Sequence, residues 1–303
     1  MFASVMAVFA VYAVVFILFE DYDRKVLQPF DEVSDWHLLL FSLVVMGGLS
    51  WLLWRYAHRM DERISREQTE KENRMRRELT QNIAHELKTP VASIQGYAET
   101  ILHTPGISDG QKQLFTERTL VQAQRLTALL HDISTLNRMD YAADMQEKER
   151  IDVALIMADI AEETALAFRK KHMTLRNCLP QAIIVHGNEQ LVYSIFRNLI
   201  DNALAYAGEG TAVELTARES ATHWHFTLKD NGAGIAPEHQ PRIFERFYRV
   251  DKSRSRQAGG TGLGLAIVKN AVLLHGGTIS VSSSEGNGTA FEFTIRKQPA
   301  DTT

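Results

Sequence analysis

The sequence has a single cysteine, and this scarcity excludes two kinds of site. With Cys178 alone among 303 residues, the chain can form no internal disulfide and no zinc site built from cysteines. We expect Cys178 to be a small, buried apolar residue. The chain also lacks an excess of positive charge, because its net charge is −4 at pH 7. That balance argues against a nucleic-acid partner.

Charged residues are missing from two segments near the N-terminus. Residues 1–19 would form a helix about 28 Å long, close to the thickness of the bilayer hydrocarbon, and residues 37–54 form a second uncharged run. A cleaved signal peptide is the alternative for the first run, which has neither a basic N-terminal region nor an A-x-A-like end. The sequence therefore predicts two transmembrane helices, 1–19 and 37–54, in a membrane region that covers residues 1–54.

The charges beside these runs predict their orientation. The connecting loop, residues 20–36, contains six acidic residues and only two basic ones, whereas four arginines follow the second run within residues 55–66. We therefore expect the loop to be external and both termini to be cytoplasmic. The loop is too short to form a core of its own.

Helical patterns continue beyond the second run. Residues 55–79 are charged and predict a signalling helix, which leads into an apolar stripe that recurs every four residues from Met75 to Leu87. Ser108 and Gln111 form a capping box for a second helix, whose apolar stripe has coiled-coil spacing. Because two helices cannot bury such a stripe alone, we expect an all-α homodimeric four-helix bundle over residues 80–143.

One histidine of the first bundle helix has neighbours that suggest chemistry. His85 lies off the apolar stripe, Glu86 adjoins it and Thr89 is one turn away, while Pro90 weakens the helix. A lone exposed histidine usually has no function. A zinc-protease H-E-x-x-H motif is excluded, because Thr89 stands where the second ligand would be. A nucleophile beside a carboxylate suggests chemistry on the histidine itself.

Beyond a polar segment at 142–150, which we interpret as a hinge, the pattern changes to mixed helix and strand. Asn188 is suited to cap one of these helices. The predicted helices and strands are 153–168, 183–185, 189–206, 224–228, 261–274 and 291–295. They indicate a two-layer α+β domain over residues 150–298, with helices on one face of a mixed sheet.

Three segments of this domain suit a bound nucleotide. Asn198 and Asn202 share one helix face, from which an amide oxygen can bind Mg²⁺ without adding negative charge. Residues 230–234, DNGAG, place an aspartate and two glycines after a strand, where backbone can approach a ring closely. Residues 260–264, GTGLG, open a helix whose amides can hold phosphate oxygens. No G-K-[ST] follows, so this is not a P-loop.

A basic segment lies between the last two motifs. It contains Arg246 and Arg249, followed by Lys252, Arg254 and Arg256. A solvated surface is the ordinary interpretation of such a run. Here we expect a mobile lid whose cations meet the nucleotide phosphates.

Together, from residue 75 to 297, these segments resemble the bacterial sensor histidine kinases of two-component systems. The resemblance implies that His85 is the phosphorylated residue, with Glu86 as its base and Thr89 as a residue for phosphatase activity. It also implies an ATP-binding domain of the Bergerat fold and Asn202 as the Mg²⁺ ligand. The nucleotide contacts that it implies are Asn198, Asn202, Tyr206, Asp230, Gly232, Gly234, Arg246, Arg249, Gly260, Gly262, Leu263 and Gly264.

The same resemblance implies a homodimer in the bacterial cytoplasmic membrane that uses Mg²⁺-ATP to phosphorylate His85 and then passes the phosphoryl group to an aspartate of a response regulator. Gyrase-like and heat-shock chaperone ATPases share the nucleotide fold and are the alternative. They carry a glutamate where this chain has Asn198, an amide that cannot take a proton. A degenerate kinase acting as a scaffold is a third interpretation, although every motif is intact. At Ala205, where many members have a basic residue, a phosphate contact is either lost or supplied by Arg246 or Arg249.

Overall fold

A computed structural model of the chain describes residues 35–141, 149–250 and 260–297. The chain divides into two compact units, 1–76 and 77–303. The described part of the first unit is helical and belongs to α1 (Asp35–His103). The second unit contains the rest of α1 and all other elements.

The two predicted transmembrane helices are not confirmed. Residues 37–54 are helical, but within the described ranges no helix has both the length and the apolar character needed to cross a membrane. The first predicted span, residues 1–19, lies outside the described residues, as does most of the predicted loop.

Helix α1 and helix α2 (Asp109–Tyr141) form an antiparallel pair. The rings of Tyr97 and Phe115 stack with centroids 5.7 Å apart, and Glu86 of α1 bonds Arg125 of α2, so the residue numbers run in opposite directions along the two helices. Helix α1 continues through Pro90 without a break.

The predicted capping box at the start of α2 is confirmed. The Ser108 amide donates to Gln111 Oε1 at 3.2 Å, and the Gln111 amide donates to Ser108 Oγ at 3.3 Å. These two bonds satisfy N–H groups that the first turn of a helix leaves without partners.

The apolar stripe of α2 is partly buried within one chain. Leu129 and Leu136 are 3% and 2% exposed and join the same buried cluster as the α+β core. Other large apolar side chains of the helix pair remain exposed: Val91, Leu102, Leu114, Leu120, Val121 and Leu130. The exposed set is apolar surface of the kind that a second chain would cover.

The remaining elements form the predicted two-layer α+β domain. A five-stranded sheet has the order β2-β4-β5-β7-β6, in which only the β2–β4 pair is parallel, and β1 and β3 form a separate antiparallel pair. The strands are β1 (Glu149–Asp152), β2 (Thr174–Cys178), β3 (Ile184–Gly187), β4 (Ala212–Glu219), β5 (His223–Asp230), β6 (Ile279–Ser283) and β7 (Thr289–Arg296). The helices are α3 (Val153–Lys170), α4 (Glu189–Tyr206) and α5 (Gly264–Leu274).

Helices cover one face of the sheet, and aromatic residues form the contact between the layers. Phe196 of α4 meets Phe226 of β5 and Phe293 of β7 edge-on, with ring centroids 5.2 and 5.4 Å away. All three rings are buried, and burying each stabilises the fold by about 1.5–3 kcal/mol. This core fixes α4, which carries the two asparagines, against the strand that ends at Asp230.

Two local predictions differ in outcome. Asn188 caps α4 as predicted, because its side-chain oxygen accepts the Leu191 amide at 3.0 Å. The prediction for Cys178 is wrong, since this residue is exposed. It ends β2, which lies at one edge of the five-stranded sheet and packs only one side against β4.

Candidate nucleotide and phosphoacceptor site

A cavity of 810 Å³ lies among α4, the loop after β5 and the loop before α5. Ligand sites of enzymes typically measure about 300–1,000 Å³, so a nucleotide fits. Most of the predicted nucleotide contacts line it, namely Asn198, Asn202, Tyr206, Asp230, Gly234, Arg249, Gly260, Gly262 and Gly264. Gly232, Leu263 and Arg246 do not reach its lining.

The two asparagines of α4 have different surroundings. The Asn198 side-chain amide donates to the Ser194 carbonyl at 2.8 Å, which leaves its oxygen near the first residue of α5. Asn202 lines the cavity and makes no side-chain hydrogen bond with a described residue. Its amide oxygen is an uncharged ligand of the type that Mg²⁺ binds. The residues present therefore fit a Mg²⁺ ion held together with nucleotide phosphates.

Asp230 is 6% exposed and is held by backbone amides. Its Oδ1 accepts N–H groups from Gly232 at 2.8 Å and Thr289 at 3.3 Å. Burial raises the pKa of this carboxyl, and the two amide bonds oppose the rise only in part. The second oxygen accepts no bond from a described residue and is available to a donor on a ligand.

The glycines after Asp230 serve backbone packing as well as access to the cavity. A Cβ on Gly232 would lie 2.2 Å from the Ala207 carbonyl oxygen, and one on Gly234 would lie 2.1 Å from the Ser284 carbonyl oxygen. Gly234 also has a φ of +75°. No other residue can occupy either position without moving the backbone.

The predicted phosphate-binding loop and the start of the predicted lid are joined by hydrogen bonds. Gly262 has a φ of +77°, and its carbonyl accepts the Phe247 amide at 2.8 Å. Helix α5 begins at Gly264 and not at the predicted residue 261, because Gly262 turns the chain before it. Leu263 is fully buried and anchors this turn in the core.

Arg249 binds protein groups in this structure. Its side chain is 5% exposed, and its guanidinium donates to the Gly260 carbonyl and lies 3.5 Å from Glu86 Oε2. Arg246 is half-buried outside the cavity lining, and the other predicted lid cations, at 252, 254 and 256, lie outside the described residues.

The predicted phosphoacceptor group is not at the cavity. His85 is exposed, and neither it nor Thr89 lines the cavity. The Thr89 hydroxyl donates to the His85 carbonyl at 3.3 Å. Glu86 Oε2 accepts an N–H of Arg125 at 3.2 Å and faces Arg249 as well. The predicted base is therefore bound by two guanidinium groups.

Sequence reasoning missed Asp132 of α2. Its Oδ2 accepts the Thr261 hydroxyl at 2.6 Å, and Asp132 lines the cavity together with Ala128. It lies in the bundle and outside the three nucleotide motifs, so no motif could have identified it. Asp201, beside Asn202, also lines the cavity, and burial raises the pKa of both carboxyls.

Comparisons with known proteins agree with this division of the chain. Residues 75–142 match the His Kinase A (phospho-acceptor) domain, and residues 187–299 match the histidine kinase-, DNA gyrase B-, and HSP90-like ATPase. The sensor-like histidine kinase SenX3 of Mycolicibacterium smegmatis is 35% identical over 224 residues, which are 74% of this chain and 58% of that protein. The chain thus spans little more than half the length of this relative.

Solved structures share the fold. Acinetobacter baumannii histidine kinase AdeS has a TM-score of 0.59 at 22% identity, covering 71% of this chain and 98% of that one. Full-length ShkA in complex with AMPPNP has a TM-score of 0.53 at 25% identity, covering 71% of this chain and 45% of that one.

The fold and the cavity define an ATP-binding domain of the class shared by histidine kinases, gyrase B and HSP90, joined to a phospho-acceptor helix pair. The chain belongs to the sensor histidine kinases of two-component systems.

Proposed function

We propose that the chain is a membrane-bound, homodimeric kinase that phosphorylates itself on His85 with Mg²⁺-ATP. The observation that carries the proposal is the convergence of Asn202, Asp230 and the loop 260–264 on one cavity. These groups come from α4, the end of β5 and the start of α5, which all lie within residues 187–299, the range that matches the ATPase family.

Each predicted group has a defined task at the nucleotide. The second oxygen of Asp230 accepts the exocyclic amine of adenine, and the amides at the start of α5 bind phosphate oxygens. Asn202 contributes an amide oxygen to Mg²⁺, which when bound neutralises phosphate charge. The complex of ShkA with AMPPNP, an ATP analogue bound to a relative of the same fold, supports the assignment of the ligand class.

Phosphoryl transfer forms a bond between a ring nitrogen of His85 and the γ-phosphorus and breaks the bond to the ADP oxygen. Glu86 accepts the proton from the other ring nitrogen. Because His85 lies outside the cavity lining, the nucleotide has to be brought to a His85, in the same chain or in the second chain of the dimer, before the reaction. Positioning and charge neutralisation supply most of the rate in such transfers.

The phosphoryl group then passes to an aspartate of a response regulator, and Thr89 supports the reverse loss of phosphate from that regulator. Attachment to the bacterial cytoplasmic membrane through residues 1–54 is supported by their two uncharged runs and by the exposed apolar side chains of residues 43–54. The exposed apolar residues of α1 and α2 support the dimer.

The alternative, an ATPase that hydrolyses ATP without a protein acceptor, is disfavoured by Asn198. This residue stands where such ATPases carry a water-activating glutamate. An amide cannot take a proton from water, and the Asn198 amide donates to the Ser194 carbonyl.

Labelling with γ-phosphate tests the proposal. The full chain in detergent, given γ-labelled ATP, should acquire acid-labile, base-stable label, as a phosphoramidate does. His85→Ala should take up no label but still bind nucleotide, whereas His103→Ala, an exposed histidine of the same helix, should label as the parent does. Label that persists in His85→Ala would exclude His85 as the acceptor.

A further inference from the structure

We propose that Asp132 is a positioning residue that holds the phosphate-binding loop on the bundle and competes with the nucleotide phosphates for that loop. This inference rests on the proposed function, because it assigns the loop 260–264 to phosphate. It concerns a residue of α2, outside every motif of the nucleotide domain.

The contact between Asp132 and Thr261 is short and well connected. The Thr261 hydroxyl donates to Asp132 Oδ2 at 2.6 Å, a length typical of a hydrogen bond to a carboxylate. The same hydroxyl accepts the Leu263 amide at 3.1 Å. The carboxylate is thus tied, through one hydroxyl, to the turn that begins α5.

A second contact fastens the neighbouring segment to the other bundle helix. Arg249 bonds the Gly260 carbonyl and faces Glu86 of α1, and the Phe247 amide bonds Gly262. The loop and the start of the predicted lid therefore form one connected unit. Each of its two anchors on the bundle is a carboxylate, Asp132 on α2 and Glu86 on α1.

The Asp132 carboxylate lies at the loop and helix N-terminus that we assign to the nucleotide phosphates. The glycine loop and the N-terminus of α5 favour a negative group, and Asp132 supplies one while it lines the cavity. Asp201 lines the same cavity and adds a second carboxylate. A triphosphate that enters must displace Asp132 from Thr261 or accept its repulsion.

Asp132 and His85 lie at different levels of the bundle. Arg125, which bonds Glu86, marks the level of the histidine on α2. Asp132 lies about two helical turns further on, or about 10 Å along the axis at roughly 1.5 Å per residue. Asp132 therefore holds the Thr261 part of the loop about two turns from the level of the histidine, while Arg249 links Gly260 to Glu86 beside the histidine. Releasing Thr261 frees the loop to move and is a step toward phosphoryl transfer.

The test measures nucleotide binding by the full chain in detergent, with Mg²⁺ and AMPPNP as the probe in titration calorimetry. Asp132→Asn keeps an acceptor oxygen but loses the charge, so its Kd should fall by about tenfold, as expected for a charge-assisted bond. Asp132→Glu should keep the parental Kd more closely. Glu117→Gln, the same charge change at an exposed position of α2, should leave the Kd unaltered.

Amide hydrogen exchange supplies a readout that does not depend on catalysis. Without nucleotide, the amides of residues 260–268 should exchange faster in Asp132→Asn than in the parent, and AMPPNP should remove the difference. In labelling assays the same variant should show a lower KM for ATP, with a smaller change in kcat.

Unchanged binding and exchange in Asp132→Asn would overturn the proposal, and so would weaker binding, which would make Asp132 a nucleotide contact. A parent chain that binds no AMPPNP would instead refute the proposed function, and with it the competition. In that case the exchange rates still show whether Asp132 holds the loop.

Discussion

Arg249 and Glu86 form an ion pair, 3.5 Å between Nη2 and Oε2, that joins the start of the predicted lid to the residue beside His85, the proposed phosphoacceptor. Arg125 bonds the same carboxylate oxygen at 3.2 Å. Both arginine side chains are largely buried. Arg249, which we assign to the nucleotide phosphates, and Glu86, which we assign to proton transfer, are therefore bound to each other. In this arrangement Arg249 does not contact phosphate and Glu86 does not accept the proton of His85.

The first prediction concerns Glu86. Glu86→Gln keeps the shape of the side chain but cannot accept a proton, so the rate of autophosphorylation at saturating ATP should fall about 10²-fold or more. The Kd for AMPPNP should also fall, because Glu86→Gln removes the charge that holds Arg249, a residue of the cavity lining, away from the nucleotide phosphates. Initial rates of labelling and calorimetry measure the two quantities.

The control for this prediction is Glu99→Gln, on the same helix and exposed, which should behave as the parent does. A Glu86→Gln chain with the parental labelling rate would show that proton removal from His85 does not need this carboxylate. Water or another group would then act as the base.

The second prediction concerns Asn202. Asn202→Ala removes the amide oxygen that fits Mg²⁺, so Mg²⁺ should no longer increase the affinity for AMPPNP, while the affinity measured without Mg²⁺ should change little. Autophosphorylation should be lost. By contrast, Ala205→Lys, one turn along the same helix, leaves Asn202 in place, so we expect it to be tolerated and to tighten ATP binding. An Asn202→Ala chain that still responds to Mg²⁺ would place the ion at other ligands.

The third prediction concerns pH and Asp230. Burial raises the pKa of this carboxyl in the folded chain, and the ionised form accepts the adenine amine more strongly than the protonated form does. AMPPNP affinity should therefore fall as the pH drops through the raised pKa. This loss of affinity should begin at a higher pH than it would for an aspartate with an ordinary pKa. Because Asp132 also has a raised pKa and opposes binding, the titration is done in Asp132→Asn, between about pH 4 and 7.

The same raised pKa should affect stability in the opposite direction: as the pH falls, AMPPNP affinity decreases but the free energy of unfolding increases. A carboxyl whose pKa is higher in the folded than in the unfolded chain takes up its proton first in the folded chain as the pH falls. Its protonation should then raise the free energy of unfolding over that range, and Asp230→Asn should remove this contribution. Denaturant titrations of both chains at each pH measure it. A parent that loses stability there, relative to Asp230→Asn, would contradict the raised pKa.

The sequence predicted the nucleotide domain well because its signals are local. The side chain of Asn188 caps α4, and alternation along β5 and β7 marks the buried face of the sheet, so these elements follow from neighbouring residues. Strands β1, β2, β4 and β6 were not predicted. Of these, β2 and β6 lie at the edges of the five-stranded sheet and have no buried residue, so neither shows a clear buried face.

The candidate site shows the same limit. Nine of the twelve nucleotide contacts predicted by motif line the cavity, whereas Asp132 reaches Thr261 from 129 positions away. Such a pairing depends on how two domains pack, and no local pattern encodes it. The state of Glu86 was missed for the same reason: its two partners, Arg125 and Arg249, come from other parts of the chain.

The last prediction concerns Thr89. Its hydroxyl is exposed one turn from His85 and donates to the His85 carbonyl at 3.3 Å, a long bond that a competing partner can replace. Pro90 follows, so the Glu86 carbonyl has no amide donor and the helix surface beside Thr89 is polar.

We expect the Thr89 hydroxyl to orient a water against the phospho-aspartate of a docked regulator. Thr89→Ala should then keep autophosphorylation and lose about 10²-fold in phosphatase rate, while Thr89→Ser, which retains the hydroxyl, should keep most of it. The measurement is the decay of label from a purified response regulator that the parent chain phosphorylates, with each variant added in the presence of ADP. Equal decay rates with parent and Thr89→Ala would leave Thr89 as an ordinary helix residue before a proline.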